Sequence, residues 1–492
     1  MTQTTGLAWR DEVAAGIAAG ERFAGLYATA LPDTAEVTAL MASDAGVRAV
    51  TCNATPGADG QLHVTSLVPV APAAFWYERA AHDLSGVVAD GHPRLDPLLL
   101  PLTEGAPRPL PGGGARPSTG PATEHAGPVD VVGHVFTLPW GPVRSGVSES
   151  IEFLIETPGE DIPHLTIRPH YKHRGIAKQF EGRTVADGVL VAERVEGTST
   201  VAHALAYAHA VETLAGVTVP ERARLVRVLH AELERIAHHL DVTMRLADAA
   251  GLAVAAARFG WHKERVQRLV ARMSGSRFAR GVVVPGGVRG APAVAGSAVL
   301  DALDDVHARL RSDVSALEAT PSFLDRLRGT GILSVDRARR FGALGPIGRA
   351  SGQDDDARNH RPTDAYGALP PVAPIGLEAG DALARARVRW REIYASVVLA
   401  HAAVDALART TDQPWHVAAT ATDGTAFGWA EAAPGEVLYA LHVDGGHIRR
   451  CFARSPALHD LVLLHDVFRT DIFTDFPFIE ASFGLSYAGV AM

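Results

Sequence analysis

A segment rich in proline and glycine, residues 102–127, most constrains how this chain of 492 residues can fold. It reads LTEGAPRPLPGGGARPSTGPATEHAG and shows no apolar periodicity. Such a segment buries too little apolar surface to offset the entropy that it would lose on ordering, so we predict a linker. The linker separates a unit the size of a small domain, residues 1–101, from a larger unit, residues 128–492.

The first unit has the pattern of a small α/β domain. Two stretches rich in β-branched residues, VRAVTCNA (47–54) and LHVTSLVPV (62–70), flank the turn-like PGADGQ. Stretches of this composition on either side of turn residues are typical of β-strands.

The second unit predicts small sheets followed by long helices. Three stretches within residues 134–171, HVFTLPW, ESIEFLIET and HLTIRPHY, are rich in β-branched and aromatic residues and predict a small sheet. Apolar residues at i, i+3, i+4 spacing then predict helices at 200–215, 221–249, 256–274, 298–328 and 378–410. A hairpin over 426–450, with its turn at Asp444 and Gly445, follows them. The expected fold class is therefore α+β.

Charge and hydropathy exclude several classes of partner. The net charge is −9, and only three lysines occur, so we expect no nucleic-acid partner, which would require clustered positive charge. We find neither a signal peptide nor a run of about 18 apolar residues, so we expect no direct membrane span. These features predict a cytoplasmic protein that reaches a membrane only through partner subunits.

Cysteine and histidine do not form a recognisable site. Two cysteines, Cys52 and Cys451, exclude a disulfide scaffold and an iron–sulfur cluster held by cysteines of this protein alone. Neither has a sequence context typical of a nucleophile. His238 and His239 are adjacent on a predicted helix and therefore point to different faces, so we expect structural roles for them.

Longer sequence strings resemble a known family. Residues 77–101, YERAAHDLSGVVADGHPRLDPLLLP, resemble the closing motif of the C subunit of NADH–quinone oxidoreductase (complex I). The second unit resembles the D subunit of complex I and the large subunit of nickel–iron hydrogenases. The closest pattern is that of formate hydrogenlyase-type membrane-bound hydrogenases, whose large subunit is itself a fusion of C-type and D-type parts. The matching strings are GPVRSGVSES (141–150), YKHRGIAKQFEGR (171–183), ERVEGTSTVAHALAYAHAVE (193–212), ELERIAHHLDV (232–242), SRFARGVVVPGGV (276–288), GPIGRASGQDDDAR (345–358) and GWAEAAPGEVLY (428–439).

The four cysteines that hold nickel and iron in the hydrogenases are missing. The resemblance assigns them to R-x-C-G-x-C and D-P-C-x-x-C motifs, and those positions are occupied here by Glu196, Ser199, Ser486 and Gly489. A low-valent nickel–iron centre requires sulfur donors. We therefore expect no nickel–iron cluster and no metal ligands among these four residues.

The resemblance also implies a set of site residues. Glu149 matches a glutamate that relays protons in the hydrogenases, and Asp248 matches an acid in the wall of the quinone chamber of complex I. Together with Glu196, which stands at a cysteine position, they are the acids that we expect to handle protons. Arg174 and Arg194, together with the adjacent His173, correspond to residues that face the iron–sulfur cluster of a neighbouring small subunit. Arg144 and Gly197 stand where complex I has the histidine and tyrosine that bind the quinone head group.

Three of these assignments have structural alternatives. Arg174 and Arg194 are also explained as structural ion pairs at a subunit interface, and Asp248 as a surface or capping acid of a helix. Buried Glu196 would either be neutral with a raised pKa or pair with Arg144 or Arg194 and fill the former metal site.

The resemblance predicts a subunit of an oxidoreductase complex. Such a subunit would take part in proton-coupled electron transfer from NADH, formate or a similar donor toward a quinone-like acceptor. It would hold no metal cofactor itself, and the resemblance leaves open whether it binds a quinone. It would bind a small iron–sulfur subunit and membrane-arm subunits. The alternative is a scaffold subunit without catalytic function, whose former metal cavity is filled.

Overall fold

A computed structural model describes residues 6–31, 34–100, 135–147, 149–410, 412–468 and 470–492. The predicted linker lies outside these ranges. The described residues confirm the α+β class, with long helices beside several small sheets. No helix in these ranges is both long and apolar enough to cross a membrane.

The first unit is built on a five-stranded sheet. Its elements are α1 (Gly6–Ala18), β1 (Arg22–Ala30), β2 (Ala35–Ser43), β3 (Gly46–Pro56), β4 (Leu62–Thr65), α2 (Ala74–Ser85) and β5 (Val87–Asp90). The strands lie in sequence order and pair antiparallel, except for the parallel pair β4 and β5. The predicted strand 62–70 ends early because the Ser66 hydroxyl and the Leu67 amide donate to the Glu78 carboxylate of α2.

The described residues of the second unit form two three-stranded antiparallel sheets and one short pair of strands. The strands are β6 (Phe136–Trp140), β7 (Glu152–Thr157), β8 (His164–Arg168), β9 (Val283–Val284), β10 (Gly287–Val288), β11 (Gly424–Ala432), β12 (Gly435–Asp444) and β13 (His447–Arg454). The turn between β12 and β13 is Gly445–Gly446, one residue later than predicted. Both glycines have positive φ, which the favoured two-residue hairpin turn requires.

Fifteen α-helices complete the described part of this unit. They are α3 (Ile176–Phe180), α4 (Val185–Ala192), α5 (Thr200–Ala215), α6 (Glu221–Ala249), α7 (Ala253–Ser274), α8 (Gly296–Glu318), α9 (Pro321–Leu327), α10 (Val335–Phe341), α11 (Gly345–Arg349), α12 (Ala357–His360), α13 (Ala382–Leu407), α14 (Pro456–Asp460), α15 (Leu464–Val467), α16 (Phe476–Phe483) and α17 (Tyr487–Val490). Helices α5 and α6 have the predicted bounds. The helix predicted over 298–328 is instead α8 and α9, because the Pro321 ring cannot continue α8.

The two units share buried contacts. The Tyr77 hydroxyl lies 3.0 Å from His459 Nδ1, and the ring of Tyr27 stacks on Phe452 at 5.0 Å between centroids. One apolar cluster includes residues of the first sheet together with β7, β8 and the segment 457–491. The described parts of both units therefore form a single packed body around this cluster.

Candidate functional site

Two loops that correspond to the metal-binding motifs meet in the interior. Residues 193–199 connect α4 to α5, and residues 484–486 connect α16 to α17. Glu196 is 2% exposed and Ser199 is 1% exposed. The Ser455 hydroxyl, which precedes α14, donates to Glu196 Oε2 at 3.1 Å. The fold thus brings the first motif, the second motif and the start of α14 to one buried point.

The Glu196 carboxylate faces a histidine ring. Its Oε1 atom lies 3.5 Å from Nε2 of His203, one turn into α5, and the other ring nitrogen of His203 lies 2.9 Å from the Tyr439 hydroxyl. Burial by itself would raise the pKa of Glu196, but the interaction with His203 and with the Ser199 and Ser455 hydroxyls outweighs burial and lowers the pKa. The carboxyl group is therefore ionised at neutral pH.

Gly489 leaves no room for a ligand side chain at the fourth position. A Cβ atom built on Gly489 would overlap Glu196 Oε2 and the Ser455 hydroxyl. The space that a cysteine would occupy is filled by the Glu196 carboxylate.

Arg174 bridges the first motif loop and α17. The Arg174 guanidinium donates to the carbonyl oxygens of Arg194, Val195 and Ala488. Glu149 accepts from the Ser486 hydroxyl at 2.8 Å and from the Ala488 amide at 3.1 Å. Arg174 therefore holds the two motifs together, and Glu149 fixes the second loop against the start of α17.

A cavity of about 430 Å³ lies beside this cluster, between α6 and α7. It is lined by Glu149, Gly197, Thr198, Val201, His230, Leu233, Glu234, Ala237, His238, Asp241, Met244, Arg245, Gly260, Lys263, Glu264, Gln267, Val270, Arg277, Phe278 and Ala279. This volume falls within the roughly 300–1,000 Å³ range of small-molecule sites. The many charged side chains distinguish it from a predominantly apolar pocket.

Glu234 in the cavity wall binds a proton at neutral pH. Burial raises its pKa to about 8 although the Val201 and Ala202 amides donate to its carboxylate, and the charge of Glu196 adds to the rise. The same bonds cap the start of α5, where the side chain of Ser199 makes no capping bond. Two carboxyl groups near one another, Glu196 and Glu234, thus have pKa values displaced in opposite directions.

The two adjacent histidines of α6 face different surroundings, as the sequence predicts. His238 lines the cavity, and burial lowers its pKa far below the usual range. His239 Nε2 instead bonds Glu392 Oε2 at 2.8 Å inside the protein. His230, two turns before His238, also lines the cavity, and burial lowers its pKa to about 4.

Asp241 supplies the ionised acid of the cavity wall. Lys263 donates to Oδ1 of Asp241 at 2.7 Å, and Arg245 donates to Oδ2. Burial would raise the pKa of Asp241, but these two cations outweigh it and lower the pKa.

Some predicted site residues lie apart from Glu196 and from the cavity beside it. Asp248 is exposed near the end of α6 and does not line the cavity. Arg144 forms an ion pair with Glu480. His173 Nδ1 bonds the Ala491 carbonyl at 2.9 Å, which places this ring against the last described residues.

The suggested pairing of Glu196 with Arg144 or Arg194 is wrong. Arg194 is half exposed, bonds the Glu193 carboxylate and the Leu190 carbonyl, and points away from the cluster. Arg174 is close enough for its charge to act on Glu196, but it directs its bonds to backbone carbonyls. Among the described residues, His203 and Ser455 contact the Glu196 carboxylate oxygens with their side chains.

Sequence reasoning missed His203, Ser455, Glu234 and Asp241. His203 lies seven residues after Glu196, and this spacing of two helical turns gives only a weak local signal. Glu234 and Asp241 are seven residues apart on α6, so both could have been assigned to one face together with His230 and His238. Nothing in the sequence near Ser455 links it to Glu196.

The donor set does not fit a nickel–iron centre. It consists of one carboxylate, two hydroxyls and a glycine without a side chain, where thiolates are required. Cys52 and Cys451 are buried in β3 and β13, and burial raises the pKa of both thiols. The part of the chain that the structure describes contains no group of three or more metal-binding side chains.

Comparison with known proteins agrees with this architecture. The family model of the 49 kDa subunit of respiratory-chain NADH dehydrogenase matches residues 252–423, and that of its 30 kDa subunit matches residues 13–110. The model of nickel-dependent hydrogenases matches residues 174–243. A carbon monoxide-induced hydrogenase of Rhodospirillum rubrum is 30% identical over 63% of this chain and 86% of its own length. The chain belongs to the family that unites the 49 kDa subunit of complex I with the nickel-dependent hydrogenases.

Other members of this family show the same relationship. The D subunit of NADH-quinone oxidoreductase from Citrifermentans bemidjiense is 32% identical over 54% of this chain and 68% of its own length. The C/D subunit of the same enzyme from Acinetobacter baumannii is 29% identical over 70% of this chain and 62% of its own length. One protein of the archaeal membrane-bound sulfane sulfur reductase superposes with a TM-score of 0.68 at 24% identity, covering 73% of this chain and 98% of its own. This last likeness supports the fold.

Proposed function

We propose that this protein is the fused C/D-type large subunit of a membrane-associated oxidoreductase related to formate hydrogenlyase and complex I. It takes part in proton-coupled electron transfer from NADH, formate or a similar donor toward a quinone-like acceptor, without a nickel–iron cluster of its own. The observation that carries the proposal is the buried Glu196 carboxylate, which stands at a predicted thiolate position, faces His203 and lies beside a charged cavity.

The carboxyl pair Glu196 and Glu234 supports proton handling. One carboxyl is ionised and the other protonated at neutral pH, and the charge of one acts on the pKa of the other. Carboxyl groups whose environments displace their pKa values in opposite directions are suited to donating and accepting protons. In this proposal Glu149 passes protons between the motif loops and the cavity, because it lines the cavity and bonds Ser486.

The cavity between α6 and α7 supports binding of a small polar acceptor. His230 and His238 are neutral at pH 7 and present ring nitrogens to hydrogen-bond a carbonyl or hydroxyl group. A quinone head group would present such oxygens. Gly197 leaves open the place where complex I has its quinone-binding tyrosine.

Electrons would arrive through a neighbouring subunit. Half-exposed Arg194 lies beside the motif loop and presents a fixed positive charge at the surface. A cation near an iron–sulfur cluster of a docked small subunit would stabilise the reduced cluster and raise its potential. Together with membrane-arm subunits, that small subunit would hold this protein peripherally on the cytoplasmic membrane.

One observation favours the alternative of a scaffold subunit without catalytic function. The Glu196 carboxylate and the Ser455 hydroxyl fill the space beside Gly489, so the former metal position is closed. The cavity beside it supports retained chemistry, because its wall contains several charged side chains and Glu234, whose pKa is raised to about 8.

The test uses the purified complex that contains the full-length protein. Reduction of a short-tailed ubiquinone would be measured with NADH and with formate, beside hydrogen evolution and nickel content. We expect donor-dependent quinone reduction, no hydrogen evolution and no stoichiometric nickel. Glu234→Gln is expected to lower turnover at least about tenfold, as for loss of a group that transfers protons. The matched control Glu221→Gln, at an exposed position of the same helix, should retain turnover.

Two outcomes contradict the proposal. If the complex has an intact iron–sulfur cluster but reduces no quinone with either donor, the redox proposal fails. The result would then support the scaffold alternative. Stoichiometric nickel together with hydrogen evolution would show that a metal centre exists despite the missing thiolates.

A further inference from the structure

A second cavity, of about 300 Å³, lies where the first unit packs on the second. It is lined by Val68, Pro72, Phe75, Arg79, Arg94, His164, Thr166, Ile167, Arg337, Phe341, Val462, His465 and Asp466. Its volume is at the lower end of the roughly 300–1,000 Å³ range of small-molecule sites. None of these residues lines the cavity between α6 and α7.

Three guanidinium groups from two units converge on this cavity, with one lining carboxylate. Arg79 and Arg94 come from the first unit, where both bond the Asp96 carboxylate. Arg337 comes from α10 and donates from Nε to Asp466 at 2.8 Å. Within the described ranges, the two terminal nitrogens of Arg337 donate to no protein group, so they remain available to an anion.

Aromatic rings orient two of these cations. The Arg337 guanidinium lies over the Phe341 ring at 4.5 Å, and the Arg79 guanidinium lies over the Phe75 ring at 5.6 Å. Such stacking holds a planar guanidinium in one orientation and leaves its N–H edge for a planar acceptor such as a carboxylate.

The electrostatic potential at His465, in the wall of this cavity, is positive. Burial, together with repulsion by His164, Arg79 and Arg94, lowers the pKa of His465 to about 3. Burial also lowers the pKa of His164, with an opposing contribution from Glu156 and a further lowering by Arg94. Both rings are therefore neutral at pH 7, and the positive field at that pH comes from the arginines.

The rest of the wall is apolar. Phe75, Phe341, Ile167, Val462 and Val68 surround the space between the guanidinium groups. A ligand that satisfies both surfaces has one anionic end and a compact hydrocarbon body.

We propose that this cavity is a binding site for a small amphipathic carboxylate. The carboxylate bonds the Arg337 edge, with Arg94 as the second cation, and the hydrocarbon body packs against Phe75 and Phe341. Because its walls come from both units, a bound carboxylate stabilises their packing. The site is independent of the redox function proposed above.

The experiment titrates the full-length protein with benzoate, benzyl alcohol and inorganic phosphate, following heat of binding and the thermal unfolding midpoint. We expect saturable binding of one benzoate per protein molecule, with a raised midpoint. Benzyl alcohol, which has a similar body without the charge, should bind at least about tenfold more weakly, as expected for a lost charge-assisted hydrogen bond.

Variants separate this site from general binding of anions. Arg337→Gln and Arg94→Gln should each weaken benzoate binding at least about tenfold, the change that loss of one charge-assisted bond produces. Arg339→Gln, an exposed arginine of the same helix that does not line this cavity, should leave the affinity within about twofold. Circular dichroism of each variant verifies that it is folded.

Three results would overturn the proposal. If the titration shows no saturable binding of benzoate, the proposed site is ruled out. Equal binding of benzyl alcohol and benzoate shows that only apolar contacts matter. Binding of phosphate but not benzoate shows an inorganic anion site instead.

Discussion

The Glu196 carboxylate and the His203 imidazole face each other in the interior, with Oε1 and Nε2 3.5 Å apart, at the place where the resemblance to the hydrogenases predicts a metal ligand. Both side chains are shielded from solvent, and the Ser455 hydroxyl donates to the other oxygen of the carboxylate. These partners stabilise Glu196, because a buried carboxylate without a partner would be costly.

Gly489→Ala should destabilise the protein. The added methyl group would overlap Glu196 Oε2 and the Ser455 hydroxyl, and overpacking of a closed interior costs about 1–3 kcal/mol. Urea denaturation measures the loss. Gly197→Ala is the matched control, because a Cβ atom there meets no atom within 4 Å. Equal stability of the two variants would contradict the close contact between Gly489 and Glu196.

The proton bound by Glu234 should make the free energy of unfolding decrease as the pH rises. Its folded pKa of about 8 exceeds the usual value of 4.5, so between these values the folded state holds a proton that the unfolded state has lost. The free energy of unfolding then decreases by about 1.4 kcal/mol per pH unit from this group alone, and the decrease stops above about pH 8.

Urea unfolding at several pH values between about 5 and 8.5 measures how the free energy of unfolding changes with pH. Subtracting the Glu234→Gln curve from the wild-type curve should isolate the contribution of the carboxyl group. Glu221→Gln should retain the wild-type slope. If the difference between wild type and Glu234→Gln does not change with pH, Glu234 is not protonated in the folded protein.

Arg174→Gln should loosen the two motif loops. The substitution removes charge-assisted bonds to the carbonyls of Arg194, Val195 and Ala488, at a cost of about 2–4 kcal/mol. Arg194→Gln should cost less than about 1 kcal/mol, because the Arg194 side chain is half exposed and its partner Glu193 keeps the Gly281 amide as a donor. Chemical denaturation compares the two, and an equal cost would show that Arg174 is not the residue that joins the loops.

Arg22→Met should weaken the packing of the first unit on the second. Arg22 donates to Asp355 and to Glu436, both at 2.8 Å, and Glu436 is almost completely buried. Glu436 keeps Arg361 and Arg454 as partners, so loss of Arg22 should cost about 1.5–3 kcal/mol, as for removal of a charge-assisted hydrogen bond. Limited proteolysis and urea denaturation would measure this loss of stability.

Arg48→Gln is the comparison for Arg22. Arg48 pairs with Glu21 and Glu12 within the first unit, and its side chain is 41% exposed. Its loss should cost less than about 1 kcal/mol. A similar cost for both arginines would mean that the ion pairs of Arg22 contribute little to the packing between the units.

Local sequence signals predicted most of the regular structure. Apolar spacing predicted α5 and α6 at their observed bounds, since these long helices present a continuous buried face. The same signal joined α8 and α9, because it does not register how Pro321 ends the preceding helix. The strand at 62–70 was predicted too long because its end depends on Glu78 in a different element.

The sequence by itself determined the family, through strings matched in order, and its resemblance to the hydrogenases predicts that Glu196, Ser199, Ser486 and Gly489 stand at four thiolate positions. Only the tertiary structure decided what surrounds them. Glu196 contacts His203 and Ser455 rather than an arginine, and Glu234 holds a proton because two helices and a second carboxylate surround it. Charge pairing and pKa depend on distances between residues far apart in the sequence, and spacing along the sequence does not contain those distances.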